Sequence, residues 1–226
     1  SRTYLRTAVN NAISRAVLEE KVAEQETQRQ LFLRTLVHDL HAPLRNVRFL
    51  GELAAEEAES GDFIKMKEAL KAQEVVANRA SDLISTLETY ALLDGELKFK
   101  KVSLTTAAKA ARDNLSDQIA AAQAEVVINE LPDILGDMPQ LIQLFQNLIG
   151  NGIKYNRSQH PKVVVECVAS DGVHIAVSDN GIGIPQKFFE LIFKPLKRLW
   201  SHQEFEGSGL GLAICQKVAQ RHNGRI

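Results

Sequence analysis

One stretch of the sequence, LVHDLHAPLRNV at residues 36–47, sets a histidine beside an aspartate inside a segment of helical apolar spacing. Val37 and Leu40 fall on the apolar side of that spacing, so His38 should point outward with Asp39 beside it. An exposed imidazole next to a carboxylate suits nucleophilic chemistry, because the acid can take the proton from one ring nitrogen and leave a lone pair on the other. Taken alone, His38 is more simply interpreted as an ordinary surface histidine.

Two further features of this stretch bear on His38. Pro43 has no N–H to donate to the carbonyl of Asp39, four residues back, so the helix should bend here. His38 and His41 could also supply half of a metal site, but the sequence places no further cluster of His, Cys or carboxylate residues to complete it. A metal-sensing hairpin remains a third interpretation of the chain.

A second polar group lies in QNLIGNGIKYN, residues 146–156. Asn147 and Asn151 are four residues apart and Lys154 follows three residues later, so the three share one face of a helix. Amides inside an otherwise apolar helix cost stability unless something pairs with them. A Mg²⁺–triphosphate would do so, since amide oxygens suit a hard cation and lysine neutralises phosphate. Amides bonded to nearby backbone are the alternative.

The stretch SDNGIGIP, residues 178–185, follows a strand-like run. Asp179, Gly181 and Gly183 would put a carboxylate on a tight loop whose backbone can come close to a planar ligand. Such a carboxylate can accept a hydrogen bond from the amine of adenine, where guanine presents an acceptor instead. A simple β-turn is the alternative, because Asp-Asn-Gly is common in turns.

Three glycines, Gly207, Gly209 and Gly211, lead into a helical pattern in GSGLGLAICQKVAQRH. This arrangement presents free amide groups and a helix dipole to phosphates. The spacing is neither that of dinucleotide folds nor that of the Walker loop. The preceding segment, 185–206, is interpreted as a mobile flap over the same site. It carries four basic residues, Lys187, Lys194, Lys197 and Arg198.

The composition narrows the classes of partner and compartment. The formal net charge of −1 over 226 residues argues against recruitment of nucleic acid by bulk electrostatics. Cys167 and Cys215 make no disulfide framework and fit buried thiols in a reducing, cytoplasmic location. No apolar run reaches the roughly 20 residues of a membrane helix. Because the chain begins at Ser1, we expect a fragment of a longer protein, itself either soluble or membrane-anchored.

Helical heptads dominate the first part of the chain, with polar residues interrupting the middle of the apolar seam. This pattern favours a coiled coil. The turn residues ESGD at 59–62 separate it from a second helix that repeats the heptads to Ala91. A hairpin cannot cover a continuous apolar stripe alone, so we expect two copies to form a four-helix bundle.

After LLDGELKFKK, at residues 92–101, the pattern changes to helices mixed with strand-like runs, which predicts an α+β domain. The boundary should fall near 94–100. The predicted order of elements is a helix at about 103–122, a strand-like run at 125–132, a helix containing 146–156, strand-like runs at 162–170 and 173–180, and a last helix at about 208–222.

Together and in this order, these segments resemble the sensor histidine kinases of two-component systems. HDLHAPLR is similar to their H box, NLIGNGIKY to the N box, DNGIGIP to the G1 box, IFKPLKRL to the F box and GSGLGLAI to the G2 box. The resemblance runs from about residue 31 to the end of the chain. Within the family, EFEGSGLGLAIC is most similar to the kinases of phytochrome-like photoreceptors.

The resemblance implies a long two-helix hairpin that dimerises into a four-helix bundle, followed by an α/β sandwich ATP-binding domain of the kind shared with gyrase and Hsp90. It implies a coiled-coil signalling helix at 1–30, the dimerisation and histidine phosphotransfer hairpin at 31–94, and the catalytic ATP-binding domain at 95–226. Relatives continue into a further strand after the position of Ile226, so this domain should be truncated at its C terminus.

By the same resemblance, His38 would be the phosphoacceptor and Asp39 the acid that activates it. Asn151 would be the Mg²⁺ ligand, and Asn147 would support the metal and the phosphates. Lys154 would contact phosphate, Asp179 the adenine and Arg198 the γ-phosphate. The remaining implied nucleotide-binding residues are Tyr155, Gly181, Gly183, Gly207, Gly209, Leu210 and Gly211.

The implied activity is ATP-dependent autophosphorylation of His38 in a homodimer, followed by transfer to an aspartate on the receiver domain of a response regulator, with ATP and Mg²⁺ as cofactors. Phosphoryl transfer asks mainly for positioning and charge neutralisation, which the residues above can supply. The alternative is a catalytically inactive scaffold that acts through its dimer and its partners. The joint presence of His38, Asn151 and Asp179 favours the enzyme.

Three positions depart from the pattern of the family. Lys194 and Leu196 stand where an acid and a phenylalanine are commoner, so the packing of the flap should differ. Asn223 replaces a usual glycine.

Four residues after His38 the family often has a threonine or asparagine that orients water for removing phosphate from the regulator. Here that position is Ala42, which has no polar group for this purpose. We therefore expect little or no phosphatase activity toward the phosphorylated regulator, measured as loss of label from the regulator with time. Brisk dephosphorylation that depends on this chain would contradict the expectation.

Overall fold

The computed structural model describes residues 2–168, 172–200, 204–205 and 207–226, and leaves out some side chains between residues 2 and 39. The chain divides into two compact units, Ser1–Ala80 and Ser81–Ile226.

Two long helices, α1 (Arg2–Ser60) and α2 (Phe63–Leu92), are joined by the predicted tight turn. Gly61 adopts a left-handed φ of 80°, which glycine tolerates without strain. Asp62 caps the second helix, because its Oδ1 accepts a hydrogen bond of 3.1 Å from the N–H of Lys65. Helix α1 contains Pro43 in its interior, and a bend there stays a prediction.

The apolar stripe of the hairpin remains open to solvent in a single chain. Heptad residues on both helices, among them Leu33, Val37, Leu44, Leu70 and Ile84, are each at least 45% exposed. Among the side chains of the first unit that the structure describes, the buried ones are all small, namely Ala54, Ala69 and Ala80. One hairpin therefore leaves its apolar stripe uncovered, and this is the reason for which we expect dimerisation.

The second unit mixes short strands with helices, and the expected α+β class is confirmed. Its elements are β1 (Lys100–Ser103), α3 (Leu104–Asn114), α4 (Ser116–Ala122), β2 (Glu125–Ile128), β3 (Asp133–Gly136), α5 (Met138–Lys154), β4 (Lys162–Cys167), β5 (Ile175–Asp179), a 3₁₀ turn (Gln186–Phe188) and α6 (Gly211–Arg221).

The strands form two separate ladders. Strand β4 lies between β2, which runs parallel to it, and β5, which runs antiparallel to it. Strands β1 and β3 form an antiparallel pair of their own. The register sets Val163 opposite Asp179, so the end of β5 lies beside the start of β4.

Three expectations from the sequence need correction. The helix expected at 103–122 is two helices, because at Leu115 the N–H turns back to the Arg112 carbonyl at 3.0 Å. The last helix begins only at Gly211, so the glycine-rich stretch before it is loop. Strands β1 and β3 were missed, because four residues are too few to show a period of two.

The core of this unit lies between its helices and the three-stranded ladder. Helix α3 packs on α5 through Ala107, Ala108 and Ala111, none of which is exposed to solvent. Small side chains let two helices approach closely, and larger ones fill the remaining space. The large buried members include Phe145, Ile149, Val163 and Val165.

Two caps fix where the helices of the core begin. The Oγ of Ser103 accepts from the N–H of Thr106 at the start of α3. Asp137 is 8% exposed and does the same for α5, accepting from the N–H of Gln140 at 3.2 Å. Its second carboxylate oxygen accepts from the N–H of Lys98 at 3.0 Å. Both oxygens of this buried carboxylate therefore accept hydrogen bonds at the N-terminal end of α5, where the helix dipole is positive.

None of the described helices combines the length and the apolar character that a bilayer crossing requires.

We expect Ala108→Leu to lower the free energy of unfolding by about 1–3 kcal/mol, because the added methyl groups have no space at this fully buried position. Urea denaturation measures the change. The matched control is Lys109→Leu, which places the same side chain on the exposed neighbour and should change stability by less than about 0.5 kcal/mol. Equal stability of the two variants would contradict the tight core.

Candidate nucleotide site

Helix α5 carries the two predicted amides and the predicted lysine on one face near its C-terminal end. Asn147, Asn151 and Lys154 are all half-buried. The Nδ2 of Asn147 donates to the Gln143 carbonyl at 3.0 Å, so one amide uses the backbone as the alternative interpretation expected. The Asn151 side chain forms no hydrogen bond with another described residue. A half-buried amide oxygen without a partner fits a ligand at this place.

Asp179 lies at the end of β5, where its Oδ1 accepts from the N–H of Gly181 at 2.8 Å. The N–H of Ile182 donates to the carbonyl of Tyr155 at 3.0 Å, which ties the loop to the end of α5. A Cβ on Gly181 would collide with that same carbonyl. The loop after β5 is therefore packed directly against the end of the helix, and the Asp179 side chain remains exposed.

An asparagine that the sequence did not single out holds this corner together. The Oδ1 of Asn180 accepts from the Asn156 side chain at 2.7 Å and from the N–H of Lys162 at 2.8 Å. Its Nδ2 donates to the His160 carbonyl at 3.1 Å. Asn180 thus joins the loop after α5, the start of β4 and the end of β5. It lies within SDNGIGIP, but its role depends on contacts distant in sequence.

The glycine-rich segment approaches the polar face of α5 at two points. A Cβ on Gly207 would collide with the Nζ of Lys154, and one on Gly211 would come within 3.1 Å of the Oδ1 of Asn147. Leu210 is fully buried, and its N–H donates to the Oγ of Ser208 at 3.3 Å. The structure therefore brings Asn147, Lys154 and the glycine-rich segment together, as the sequence predicted.

The described part of the flap contacts the same segment. The N–H of Leu196 donates to the Gly209 carbonyl at 3.0 Å, and a Cβ on Gly209 would lie 3.0 Å from the Cγ of Arg198. Leu196 itself has a left-handed φ of 62° and is buried, a strained combination for a leucine. Arg198 donates through Nη2 to the carbonyl of Phe205.

Three aromatic rings, Tyr155, Trp200 and Phe205, form what we call the aromatic cluster. The ring centroid of Tyr155 lies 5.5 Å from that of Trp200 and 5.1 Å from that of Phe205. The centroids of Trp200 and Phe205 are 6.0 Å apart. Burial raises the pKa of the Tyr155 phenol, and the neighbouring Arg198 guanidinium offsets part of the rise. The phenol is neutral at physiological pH.

The residues of the H box lie in the first unit, on α1. His38 and His41 are both exposed, as predicted for His38. The side chain of Asp39 lies outside the described residues. Among the described residues, no group of three or more His, Cys, Asp or Glu side chains is arranged to hold a metal ion.

Mg²⁺ and a nucleotide fit this donor set. The unpartnered amide of Asn151 offers a neutral oxygen of the type that Mg²⁺ accepts alongside phosphate and water. Lys154 supplies a positive charge, and the glycines at 207 and 211 let the glycine-rich segment lie directly against Lys154 and Asn147. Chemically, the arrangement can neutralise a polyphosphate on one side and accept a hydrogen bond from a base at Asp179 on the other.

A comparison with protein families matches residues 136–226 to the family described as histidine kinase-, DNA gyrase B- and HSP90-like ATPases. Residues 136–226 belong to this ATPase family. The matched range contains the polar face of α5, the Asp179 loop and the glycine-rich segment, so the site lies entirely within the ATPase domain.

The chain as a whole is similar to cyanobacterial phytochromes and to a sensory kinase. It is 33% identical over its whole length to the phytochrome-like protein Cph1 of Synechocystis, of which it covers 31%. It is 30% identical over 98% of its length to cyanobacterial phytochrome A of Nostoc, of which it covers 30%. A third relative, the adaptive-response sensory kinase SasA of a Synechococcus strain, is 29% identical over 91% of the chain. The chain spans about a third of the length of the two phytochromes.

Solved structures share the fold of the helical hairpin followed by the ATPase domain. One is the histidine kinase ThkA in complex with the response regulator TrrA, with a TM-score of 0.61, 20% identity, and coverage of 90% of this chain and 60% of that one. Another is the Acinetobacter baumannii histidine kinase AdeS, with a TM-score of 0.54, 21% identity, and coverage of 81% and 86%. The predicted fold class is confirmed.

Two glycines in the N box of the ATPase domain should respond to alanine with opposite signs. A Cβ on Gly152 would lie 2.8 Å from Val163 Cγ2 and 3.1 Å from Asp179 Cβ, so Gly152→Ala should lower the free energy of unfolding by about 1–3 kcal/mol. A Cβ on Gly150 would make only ordinary contacts, so Gly150→Ala should raise it by about 0.5–1 kcal/mol. Urea denaturation measures both changes. A rise in both variants would show that helix propensity, and not the contact with β4 and β5, decides the outcome.

Proposed function

We propose that the chain is the kinase core of a sensor histidine kinase, in which the ATPase domain binds Mg²⁺–ATP and His38 receives the γ-phosphoryl group. The observation that carries the proposal is the meeting of the polar face of α5 with the glycine-rich segment and the Asp179 loop. A solved neighbour, full-length ShkA, was crystallised with the ATP analogue AMPPNP, which supports ATP as the ligand of this family.

Each residue of the site has a task in this proposal. Asp179 accepts a hydrogen bond from the adenine amine, Lys154 and Arg198 neutralise phosphate, and Asn147 supports the phosphates. Asn151 would hold the Mg²⁺, which supplies charge neutralisation between the β- and γ-phosphates when it is bound. The glycines at 181, 183, 207, 209 and 211 and the backbone around Leu210 would shape the pocket for the nucleotide.

The transfer itself is an in-line displacement at the γ-phosphorus. The lone pair of one His38 ring nitrogen forms the N–P bond, and the bond from phosphorus to the bridging oxygen of the β-phosphate breaks. ADP leaves with that electron pair, and the proton on the other ring nitrogen passes to the carboxylate of Asp39. A neutral imidazole is needed at the start, which suits an exposed histidine at neutral pH.

The phosphorylated histidine is a labile phosphoramidate, and we propose that it passes its phosphoryl group to an aspartate of a response-regulator receiver domain. The solved structure of ThkA holds its response regulator TrrA, which supports a partner of this class.

Dimerisation is part of the same proposal. The apolar stripe at Val37, Leu44, Leu70 and Ile84 is about half exposed in a single chain, and a second copy would cover it. We assign residues 1–30 to a signalling coiled coil, 31–94 to the dimerising phosphotransfer hairpin and 95–226 to the catalytic domain. Two cysteines without a disulfide are typical of the cytoplasm, which we propose as the compartment.

Incubation with γ-labelled ATP and Mg²⁺ tests the kinase. We expect acid-labile, alkali-stable label on the wild type and none on His38→Gln, because only His38 has the neighbouring carboxylate. The matched control is His41→Gln, an equally exposed histidine three residues away, which should keep the label.

A separate binding measurement distinguishes the kinase from the inactive scaffold. By calorimetry, Asp179→Asn should weaken ATP binding by at least tenfold, because the amide also presents donors to the adenine amine. His38→Gln should bind ATP as the wild type does. ATP binding without label on His38 would leave the scaffold as the function, and label that survives in His38→Gln would overturn the assignment of the phosphoacceptor.

A further inference from the structure

The aromatic cluster joins two segments of the ATPase domain, each of which carries a proposed phosphate contact, Lys154 on one and Arg198 on the other. Tyr155 follows the last residue of α5, immediately after Lys154, whereas Trp200 and Phe205 belong to the flap. All three rings are half-buried, and their centroid separations of 5.1–6.0 Å lie in the range of favourable aromatic pairs.

The flap side of the cluster holds Arg198. The Nη2 of Arg198 donates to the carbonyl of Phe205, whose own ring packs on Tyr155. The stem of Arg198 lies against Gly209, where a Cβ would approach within 3.0 Å of its Cγ. The Arg198 guanidinium is thus held by the backbone carbonyl of Phe205, whose ring packs on Tyr155. The aliphatic part of the Arg198 side chain is held by the glycine-rich segment.

The other side of Tyr155 reaches the loop that carries Asp179. The carbonyl of Tyr155 accepts from the N–H of Ile182 at 3.0 Å, a bond that does not depend on the Tyr155 side chain. A substitution of the ring therefore leaves the Asp179 loop attached. It changes the contacts with Trp200 and Phe205, and also the contact with the Lys154 ammonium, which lies 4.6 Å from the ring centroid. This separation makes the ring testable by itself.

Ionic contacts around the cluster are weaker than the aromatic ones. Arg157 and Glu204 approach to 3.5 Å, but their side chains are 67% and 47% exposed. The Arg157 guanidinium lies 5.8 Å from the Phe205 ring centroid. Exposed pairs of this kind contribute little, because water screens them and two long side chains lose freedom.

We propose that Tyr155 is a positioning residue for Arg198: its ring anchors Trp200 and Phe205, and through the Phe205 carbonyl it sets the guanidinium where it meets the terminal phosphate. The proposal deepens the proposed function and rests on it for the identity of the ligand. Removing the ring frees Phe205, so Arg198 loses the acceptor that orients it. An oriented guanidinium binds phosphate better than a free one, because less conformational entropy is lost on binding.

The first test uses no nucleotide. Trp200 is the only tryptophan of the chain, so its emission reports the cluster directly. Tyr155→Leu should shift the emission to longer wavelength and raise its quenching by acrylamide. Tyr155→Phe should preserve the wild-type emission, since the ring and not the hydroxyl makes the contacts, and Arg157→Gln should also preserve it. Unchanged emission in Tyr155→Leu would overturn the proposal.

The second test asks whether Tyr155 acts through Arg198. We expect Tyr155→Leu to weaken ATP binding roughly tenfold, as the loss of two aromatic pairs allows, and Phe205→Leu to do the same. In an Arg198→Ala background, Tyr155→Leu should weaken ATP binding by less than about twofold, which is the signature of one shared pathway. An undiminished loss in that background would mean that Tyr155 acts through Lys154, whose ammonium lies over its ring, or contacts the nucleotide itself. Either result would overturn the positioning of Arg198.

The two tests fail independently of the proposed function. A wild-type chain that binds no ATP would overturn the kinase assignment and, with it, the role of Arg198 at the phosphate. A shifted Trp200 emission in Tyr155→Leu from the same preparation would still establish the anchor between α5 and the flap. Phe205→Leu changes a residue outside the buried core, so loss of fold does not stand in the way of the measurement.

Discussion

The contact between helix α5 and the segments around its polar end is the constraint on which the ATPase domain depends. Gly152 lets the helix lie against Val163 and the base of Asp179, and Gly181 lets the loop after β5 meet the carbonyl at Tyr155. A side chain at either glycine would separate the elements. The charges and amides of the site are near one another only because these two positions carry no Cβ, and the aliphatic core beneath holds α5 in place.

How far the sequence predicts this arrangement depends on the range of the interactions involved. The hairpin and α5 follow from apolar periodicity, and the joint face of Asn147, Asn151 and Lys154 follows from spacing within one helix. Strands β1 and β3 were not predicted, because they are short and pair across distant parts of the chain. The contact of Trp200 with Tyr155 could not be predicted either, because no local pattern connects an aromatic residue in a basic loop with the end of α5.

The polar groups around the site differ in how completely their hydrogen bonds are formed. Asn151 holds a half-buried amide without a described partner, and Leu196 occupies a left-handed backbone conformation. The left-handed conformation at Leu196 costs free energy, whereas the half-buried amide of Asn151 is open to water or to a ligand. Asn180, in contrast, has its oxygen and its nitrogen fully engaged between three segments. Asn180 thus builds the scaffold of this corner, whereas Asn151 remains available to the proposed nucleotide.

The two thiols of the chain differ in their exposure to solvent and therefore in their reactivity. Cys215 is fully enclosed on α6, and burial raises its pKa to about 12, so it stays protonated and unreactive. The expectation of two buried thiols is wrong for Cys167, which lies at the exposed end of β4 and at the other end of the β4–β5 ladder from Asp179. A maleimide dye would therefore attach at a single natural site, and the protein can be given a spectroscopic label without replacing any cysteine.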